Sequence, residues 1–258
     1  MDPTPSAEEL VPDQVHDDMY IAWTDRVYTD AHTAVETDAI IREGELQPGM
    51  RVLDTPCGTG RIARCLAEKG LIVLGVDKSS RCIELARERC SAPGDVTFRT
   101  GDMRCLDMES EFDAVVNWGV SFGYYDDETD AAILAGYRRA LKPGGRLILQ
   151  CLSRDWVAAA LMARPPRTPP FIHLVTELDG DLLVDSIGFD PQSGRAPFVR
   201  HIVIAGQHAR YSFALRLYAP SELADRLRRA GFSGIRFLHS KVDDPRHEYG
   251  DMRVLATA

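Results

Sequence analysis

The 258-residue sequence predicts an α/β fold, a mostly parallel sheet covered on both faces by helices, interrupted by a small antiparallel β insertion. Three observations carry that prediction. Short β-branched runs alternate with amphipathic helical stretches between Arg51 and Gln150; the alternation then breaks for some sixty residues of strand-like segments; and it resumes in a helix followed by two strands.

Residues 1–14 are acidic and Pro-rich with little apolar periodicity, which predicts a flexible tail. Residues 15–48 form a helical cap, with Val35, Ala39 and Ile40 on one face and Gln47-Pro48-Gly49 as the stop. The core is assigned to 49–151 and 219–258. Its first five strands are Arg51 to Asp54, Ile72 to Val76, Val96 to Thr100, Phe112 to Asn117 and Arg146 to Gln150. Helices carried by Ile62, Leu66 and Ala67, by Ile83, Ala86 and Cys90, and by Ile133, Leu134 and Leu141 lie between them. Leu141-Lys142-Pro143-Gly144-Gly145 reads as the end of the last helix and the turn into the fifth strand.

Residues 152–218 form the insertion, a lid. It opens with a Pro-rich loop, Arg164 to Pro170, and continues in strands around Leu174 to Glu177, Leu182 to Phe189, Phe198 to Ile204 and Tyr211 to Leu217. Ser221 then caps a helix through Leu223, Leu227 and Ala230. The closing strands lie near Ile235 to His239 and Met252 to Ala256.

Composition narrows the function. Thirty basic against 39 acidic residues give a net charge of -9, the wrong sign for a broad nucleic-acid surface. No apolar run nears the roughly 20 residues that span a bilayer, and the N-terminus lacks signal-peptide character, so a cytoplasmic location without membrane attachment is expected. The six cysteines include no C-x-x-C pair, and reduced, packed thiols are expected rather than a zinc site.

The chemistry-bearing segment is Val52-Leu53-Asp54-Thr55-Pro56-Cys57-Gly58-Thr59-Gly60, a glycine-rich turn between strand and helix. Such a turn lets backbone approach a ligand, because Gly58 and Gly60 lack a Cβ. Gly58-Thr59-Gly60-Arg61-Ile62-Ala63 also satisfies the dinucleotide pattern, with Asp77 placed to hold a ribose, so an NAD(P)-dependent oxidoreductase is the rival reading. Asp54 weighs against it: a carboxylate is a poor neighbour for pyrophosphate and a good one for an ammonium and a sulfonium. Asp102, after the third strand, is suited to accept an adenine amino group, with Met103 packing on the ring. The final helix-strand-strand predicts a closing hairpin rather than a second mononucleotide half.

These features, with Gly75-Val76-Asp77, Gly101-Asp102-Met103, Phe112-Asp113-Ala114-Val115, Leu141-Lys142-Pro143-Gly144-Gly145 and Ala230-Gly231-Phe232, resemble the class I S-adenosylmethionine-dependent methyltransferases from about residue 28 to 258. The resemblance implies a doubly wound, Rossmann-like, seven-stranded sheet with its last strand antiparallel, and S-adenosylmethionine as cofactor. It implies cofactor contacts at Pro56 to Gly60 for the methionyl part, Asp77 for the ribose and Asp102 with Met103 for adenine.

Further cofactor positions expected are Tyr28, Thr33, Asp54, Lys78, Asn117 and Trp118. Pro56 stands where the commonest loop has glycine, as in small-molecule members. His32 stands where similar proteins often carry Arg.

Tyr124, His173 and His32 are the candidate general bases for a phenol or hydroxyl acceptor, whereas an amine needs only to arrive deprotonated. Asp126 and Asp127 read as helix-start residues, and no metal ligand set is expected. The expected partner is a small-molecule acceptor, by analogy one from natural-product biosynthesis, and a homodimer is left open. A protein that binds the cofactor without transferring a methyl is the third reading.

Overall fold

The computed structural model describes residues 17–90, 95–163, 171–238 and 250–258. The tail at 1–14, the Pro-rich loop at 164–170 and His239 lie outside them. Seven α-helices and eleven strands are present among the described residues, and they group into two compact units.

The larger unit comprises residues 30–122, 128–152 and 220–258. Its sheet has the order β10-β11-β5-β4-β1-β2-β3: Ser233–Leu238, Asp251–Thr257, Leu141–Leu152, Phe112–Asn117, Arg51–Asp54, Ile72–Asp77 and Val96–Thr100. Strands β1 to β5 pair in parallel, and β11 runs antiparallel to both β5 and β10. The strand order reverses between β1 and β4, so the crevice at their C-terminal ends is where a sheet of this kind takes its ligand. Val52, Leu53, Val115 and Val116 are almost wholly buried, as strands covered on both faces require.

The helices of this unit are α2 (Asp30–Gly44), α3 (Arg61–Glu68), α4 (Ser80–Glu88), α5 (Asp127–Ala140) and α7 (Pro220–Arg229). In α3, Ile62, Ala63 and Leu66 turn inward and join Ile40 of α2, Leu71, Val73 and Ile83 in one apolar cluster. Each fully buried aliphatic side chain contributes about 1.5–3 kcal/mol. Ser79 caps α4, its hydroxyl accepting from the Cys82 amide at 3.2 Å.

The smaller unit comprises residues 17–29, 123–127 and 153–219. It holds α1 (Asp18–Val27), α6 (Arg154–Met162) and an antiparallel sheet of β6 (Ile172–Leu178), β7 (Asp181–Ile187), β8 (Arg195–Ile204) and β9 (Gln207–Arg216) in sequence order. Asp17 caps α1 at the Tyr20 amide, 2.9 Å, and Ile21 and Trp23 are its buried residues. The two halves of the predicted helical cap therefore separate: α1 clusters with the four-stranded sheet and α2 with the large one.

Four details correct the sequence reading. Helix α6, capped by Ser153, fills a part of the expected β insertion to which the sequence reading assigns no element. Strand β5 begins at Leu141, because Leu141 pairs with Phe112 and a bulge spans the gap before Arg146 meets Ala114; Lys142 to Gly145 form that bulge instead of a free turn. Pro220 is the first residue of α7, so Ser221 lies inside the helix; proline fits that position because its missing N–H has no intrahelical partner there. Cys105 is exposed, while Cys57, Cys82 and Cys151 are buried and all six thiols are free.

Candidate active site

The C-terminal ends of β1, β2 and β4 and the turn after β3 carry most of the predicted cofactor residues. Asp54 ends β1 and is buried. Burial pushes its carboxyl up to about 7, with Arg61 opposing and Asp77 adding to the rise. The Thr55–Pro56 peptide is cis. The loop then passes Gly58 at φ +54 and Gly60 at φ +76.

The two glycines do different work. A Cβ on Gly58 would meet nothing within 4 Å, leaving the open approach expected for a ligand. A Cβ on Gly60 would lie 2.6 Å from the Phe98 ring, so this glycine serves close packing under the loop. The expectation that both clear space for a ligand is corrected at Gly60. Gly119, just past β4, is a second open position, at φ +86 and with nothing within 4 Å of the point a Cβ would occupy.

Asp77 ends β2 and holds the loop from beneath. Its Oδ2 accepts from the Gly58 amide at 2.8 Å and its Oδ1 from the Ser79 amide at 2.9 Å. Lys78 follows it and, with Arg104, bears on Asp102. Burial alone would raise the Asp102 carboxyl, but the Arg104 side chain and amide hold it below the usual range. Asp102 also caps the short 3-10 turn Met103–Cys105.

Met103 is buried, with its sulfur 3.5 Å from the Tyr137 hydroxyl. Asn117, at the end of β4, donates its amide to that hydroxyl at 2.7 Å, and Tyr137 in turn donates to the Thr55 carbonyl at 3.3 Å. Tyr137, on α5, thus ties the ends of β1 and β4 to the turn after β3. It was missed in the sequence because a tyrosine on the buried face of a helix reads as ordinary packing.

Thr33 and His32 are buried on α2. His32 Nε2 lies 3.6 Å from Glu36 Oε2. Glu36, likewise missed, pairs through Oε2 with Arg61 and accepts the Trp118 indole N–H on Oε1 at 2.8 Å. The Trp118 N–H is therefore committed to a carboxylate inside the fold.

The remaining candidates lie in the smaller unit. Tyr28 closes α1, its amide donating to the Thr24 carbonyl. Burial, with Tyr20 nearby and despite Arg200, pushes the Tyr124 hydroxyl above the ordinary tyrosine range, so the phenol keeps its proton; this opposes its assignment as a base. His173 sits exposed on edge strand β6, Nδ1 2.9 Å from Ser186 Oγ across the ladder, which suits a strand-surface histidine rather than a base. His201 and His208 stack on each other across β8 and β9. Asp127 starts α5 as expected and binds Arg216 at 2.9 Å. Among the described residues no cluster of three or more metal-ligating side chains occurs.

The buried polar atoms test which cofactor fits. Asp54 Oδ2, Thr55 Oγ1 and Asn117 Oδ1 have no hydrogen-bond partner among the described residues. Two of the three can only accept while Asp54 is ionised, which suits a ligand bringing an ammonium and hydroxyl donors and not a pyrophosphate. Residues 52–145 match the family model described as a methyltransferase domain.

The fold is that of the class I S-adenosylmethionine-dependent methyltransferases, and residues 52–145 carry a methyltransferase domain. The methyltransferase core is similar to the cypemycin N-terminal methyltransferase of Streptomyces, 38% identical over 104 residues, 40% of this chain and 42% of that protein. The chain spans less than half the length of the curated relatives it matches first. In fold it is similar to the CcbJ methyltransferase of Streptomyces caelestis, with TM-score 0.69 and 20% identity over 89% of this chain and 92% of that one. It is also similar to S-adenosylmethionine-bound CalS10, an amino pentose methyltransferase from Micromonospora echinaspora, with TM-score 0.66 and 21% identity over 93% and 97%. Among the described residues no helix is long and apolar enough to cross a membrane.

Proposed function

We propose that this chain transfers a methyl group from S-adenosylmethionine to a small-molecule acceptor in natural-product biosynthesis, and that the acceptor atom is an amine nitrogen. The observation that carries the reading is the set of unpartnered buried acceptors at Asp54 and Asn117 beside the open glycine turn at Gly58. When bound, the cofactor supplies a methyl on a sulfonium, open to in-line displacement.

The protein's contribution is binding and orientation. Asp54 holds the ammonium, and the turn Pro56 to Gly60 packs on the methionyl chain. Asp77 has lone pairs to spare for the ribose hydroxyls after accepting two backbone amides. Asp102 and Met103, with Lys78 at the rim, receive adenine. Asn117 and Trp118 frame the methyl, and Thr33 serves the methionyl end in place of the permanent cation that His32 replaces.

Tyr124, which keeps its proton, is a neutral phenol and not a base. An amine that arrives unprotonated needs no base, and this supports nitrogen as the acceptor atom. The amino pentose specificity of CalS10 supports an amine acceptor by analogy.

The test is calorimetric titration with S-adenosylhomocysteine and with NADH, followed by transfer of isotopically labelled methyl to a panel of amines, phenols and alcohols. Binding of S-adenosylhomocysteine alone and labelling of amines are expected. NADH binding would overturn the cofactor assignment, and labelling confined to phenols would overturn the acceptor.

A further inference from the structure

Glu36 joins the two loops that flank the cofactor crevice, although no ligand contact of its own is assigned to it. It lies in the middle of α2 and is 2% exposed. One carboxylate oxygen pairs with Arg61, the residue directly after Gly60, and the other accepts the indole N–H of Trp118, the residue directly after Asn117. His32, one helical turn earlier, lies 3.6 Å from the oxygen that Arg61 uses. Strands β1 and β4 are neighbours, with Asp54 opposite Val116, so the two grasped residues follow the strands that bound the crevice.

A carboxylate this deeply buried costs several kcal/mol to desolvate, and its pairing must be geometrically good to offset that. Packing alone would be met by an apolar residue on α2, as Ile40 shows one turn later. The carboxylate gives something that packing does not, a fixed distance and direction between two separate loops.

We propose that Glu36 is the positioning residue of the cofactor site, setting through Arg61 and Trp118 the separation of the glycine turn from the end of β4. The inference rests on the cofactor reading above. It assigns to α2 a part in shaping the site that does not require any α2 side chain to touch the ligand.

Four proteins test it: wild type, Glu36→Gln, Trp118→Phe and the double variant. Gln keeps an acceptor for the indole but gives up the charge that Arg61 needs; Phe keeps the ring volume but gives up the N–H. Residues sharing one hydrogen-bond network couple by enough to change affinity about tenfold, and that loss in S-adenosylhomocysteine affinity is expected for folded Glu36→Gln. The double variant should lose less than the product of the two single losses.

Affinity is read by calorimetry at a temperature where circular dichroism shows each variant folded, so lowered stability alone does not move it. A folded Glu36→Gln protein within about twofold of wild type, or strict additivity in the double variant, would overturn the proposal. If Glu36→Gln does not fold, Trp118→Phe decides by itself, unchanged affinity counting against. Absence of binding by wild type would instead refute the cofactor reading.

Discussion

The Gly58 amide points its hydrogen at Asp77 Oδ2 across 2.8 Å, so the carboxylate assigned to the ribose also fixes the turn that faces the methionyl chain. Under the proposed function, one side chain would serve two parts of the ligand. Asp77→Asn removes one of its two acceptor oxygens and sets an NH2 against a backbone N–H. An unsatisfied buried donor costs about 1–3 kcal/mol. Urea unfolding of the variant should show a loss in that range, accompanied by weaker S-adenosylhomocysteine binding; unchanged stability would mean the turn holds its shape without this bond.

The glycines of the turn should separate by experiment. Gly60→Ala forces a Cβ into Phe98, and overpacking costs about 1–3 kcal/mol. Shrinking the ring with Phe98→Leu should restore part of that stability. Gly58→Ala meets no neighbour and carries only the backbone strain of its φ of +54, about 1–2 kcal/mol, which Gly60→Ala shares at +76; beyond that common cost its loss should fall on cofactor affinity. Equal losses in both measurements for both variants would contradict this division.

Asp54 gives the fold a pH dependence of defined sign. Its folded pKa, about 7, lies above the ordinary aspartate value of 3.8. The native state therefore binds the extra proton between about pH 4 and 7, and the stability this contributes is complete below that window and lost as pH rises through it. Relative to Asp54→Asn, the ligand-free wild type should lose melting temperature from pH 5 to pH 8. Affinity for S-adenosylmethionine should move the opposite way, rising as the carboxylate ionises. Parallel melting curves for the two proteins would show that Asp54 ionises normally.

In the smaller unit, Arg195 donates to the Tyr125 carbonyl at 2.9 Å, the Tyr124 carbonyl at 3.1 Å and the Ala214 carbonyl at 3.2 Å. The Arg216 amide donates to the Gly123 carbonyl at 2.6 Å beside them. Hydrogen bonds from a charged donor contribute about 1.5–3 kcal/mol each. Arg195→Met should raise hydrogen exchange at the Arg216 amide and its neighbours while β6 and β7 stay protected. Uniform exchange across the sheet would instead indicate global destabilisation.

The parallel sheet was legible because its strands are buried on both faces and separated by turn residues, as at Val52-Leu53 and Val115-Val116. The placement of Asp54 and Asp77 at the ends of β1 and β2, and of Asp102 in the turn after β3, was legible because the apolar runs stop at these short polar residues. Glu36 and Tyr137 were not. Each acts through partners distant in sequence, Trp118 for one and Asn117 and Thr55 for the other, and no local spacing encodes such a contact. The same limit applies to Gly60: its φ is written in the sequence pattern, whereas the Phe98 ring beneath it belongs to another strand. Helix α6 was missed because Trp156 to Met162 is apolar on most sides, leaving no stripe to read.

Residues 123–127 belong to the small unit although they are encoded between β4 and α5, and α1 belongs to it although it precedes the entire core. That unit is consequently not a portable cassette. Recombination that exchanged 153–219 alone between related genes would import Arg195 and Arg216 without the Tyr125 carbonyl and the Asp127 carboxylate they grip, and Tyr211 without the Asp17 carboxylate its hydroxyl meets at 2.7 Å. Changes to this unit in such a lineage are then expected to accumulate as coordinated point substitutions at three places in the gene.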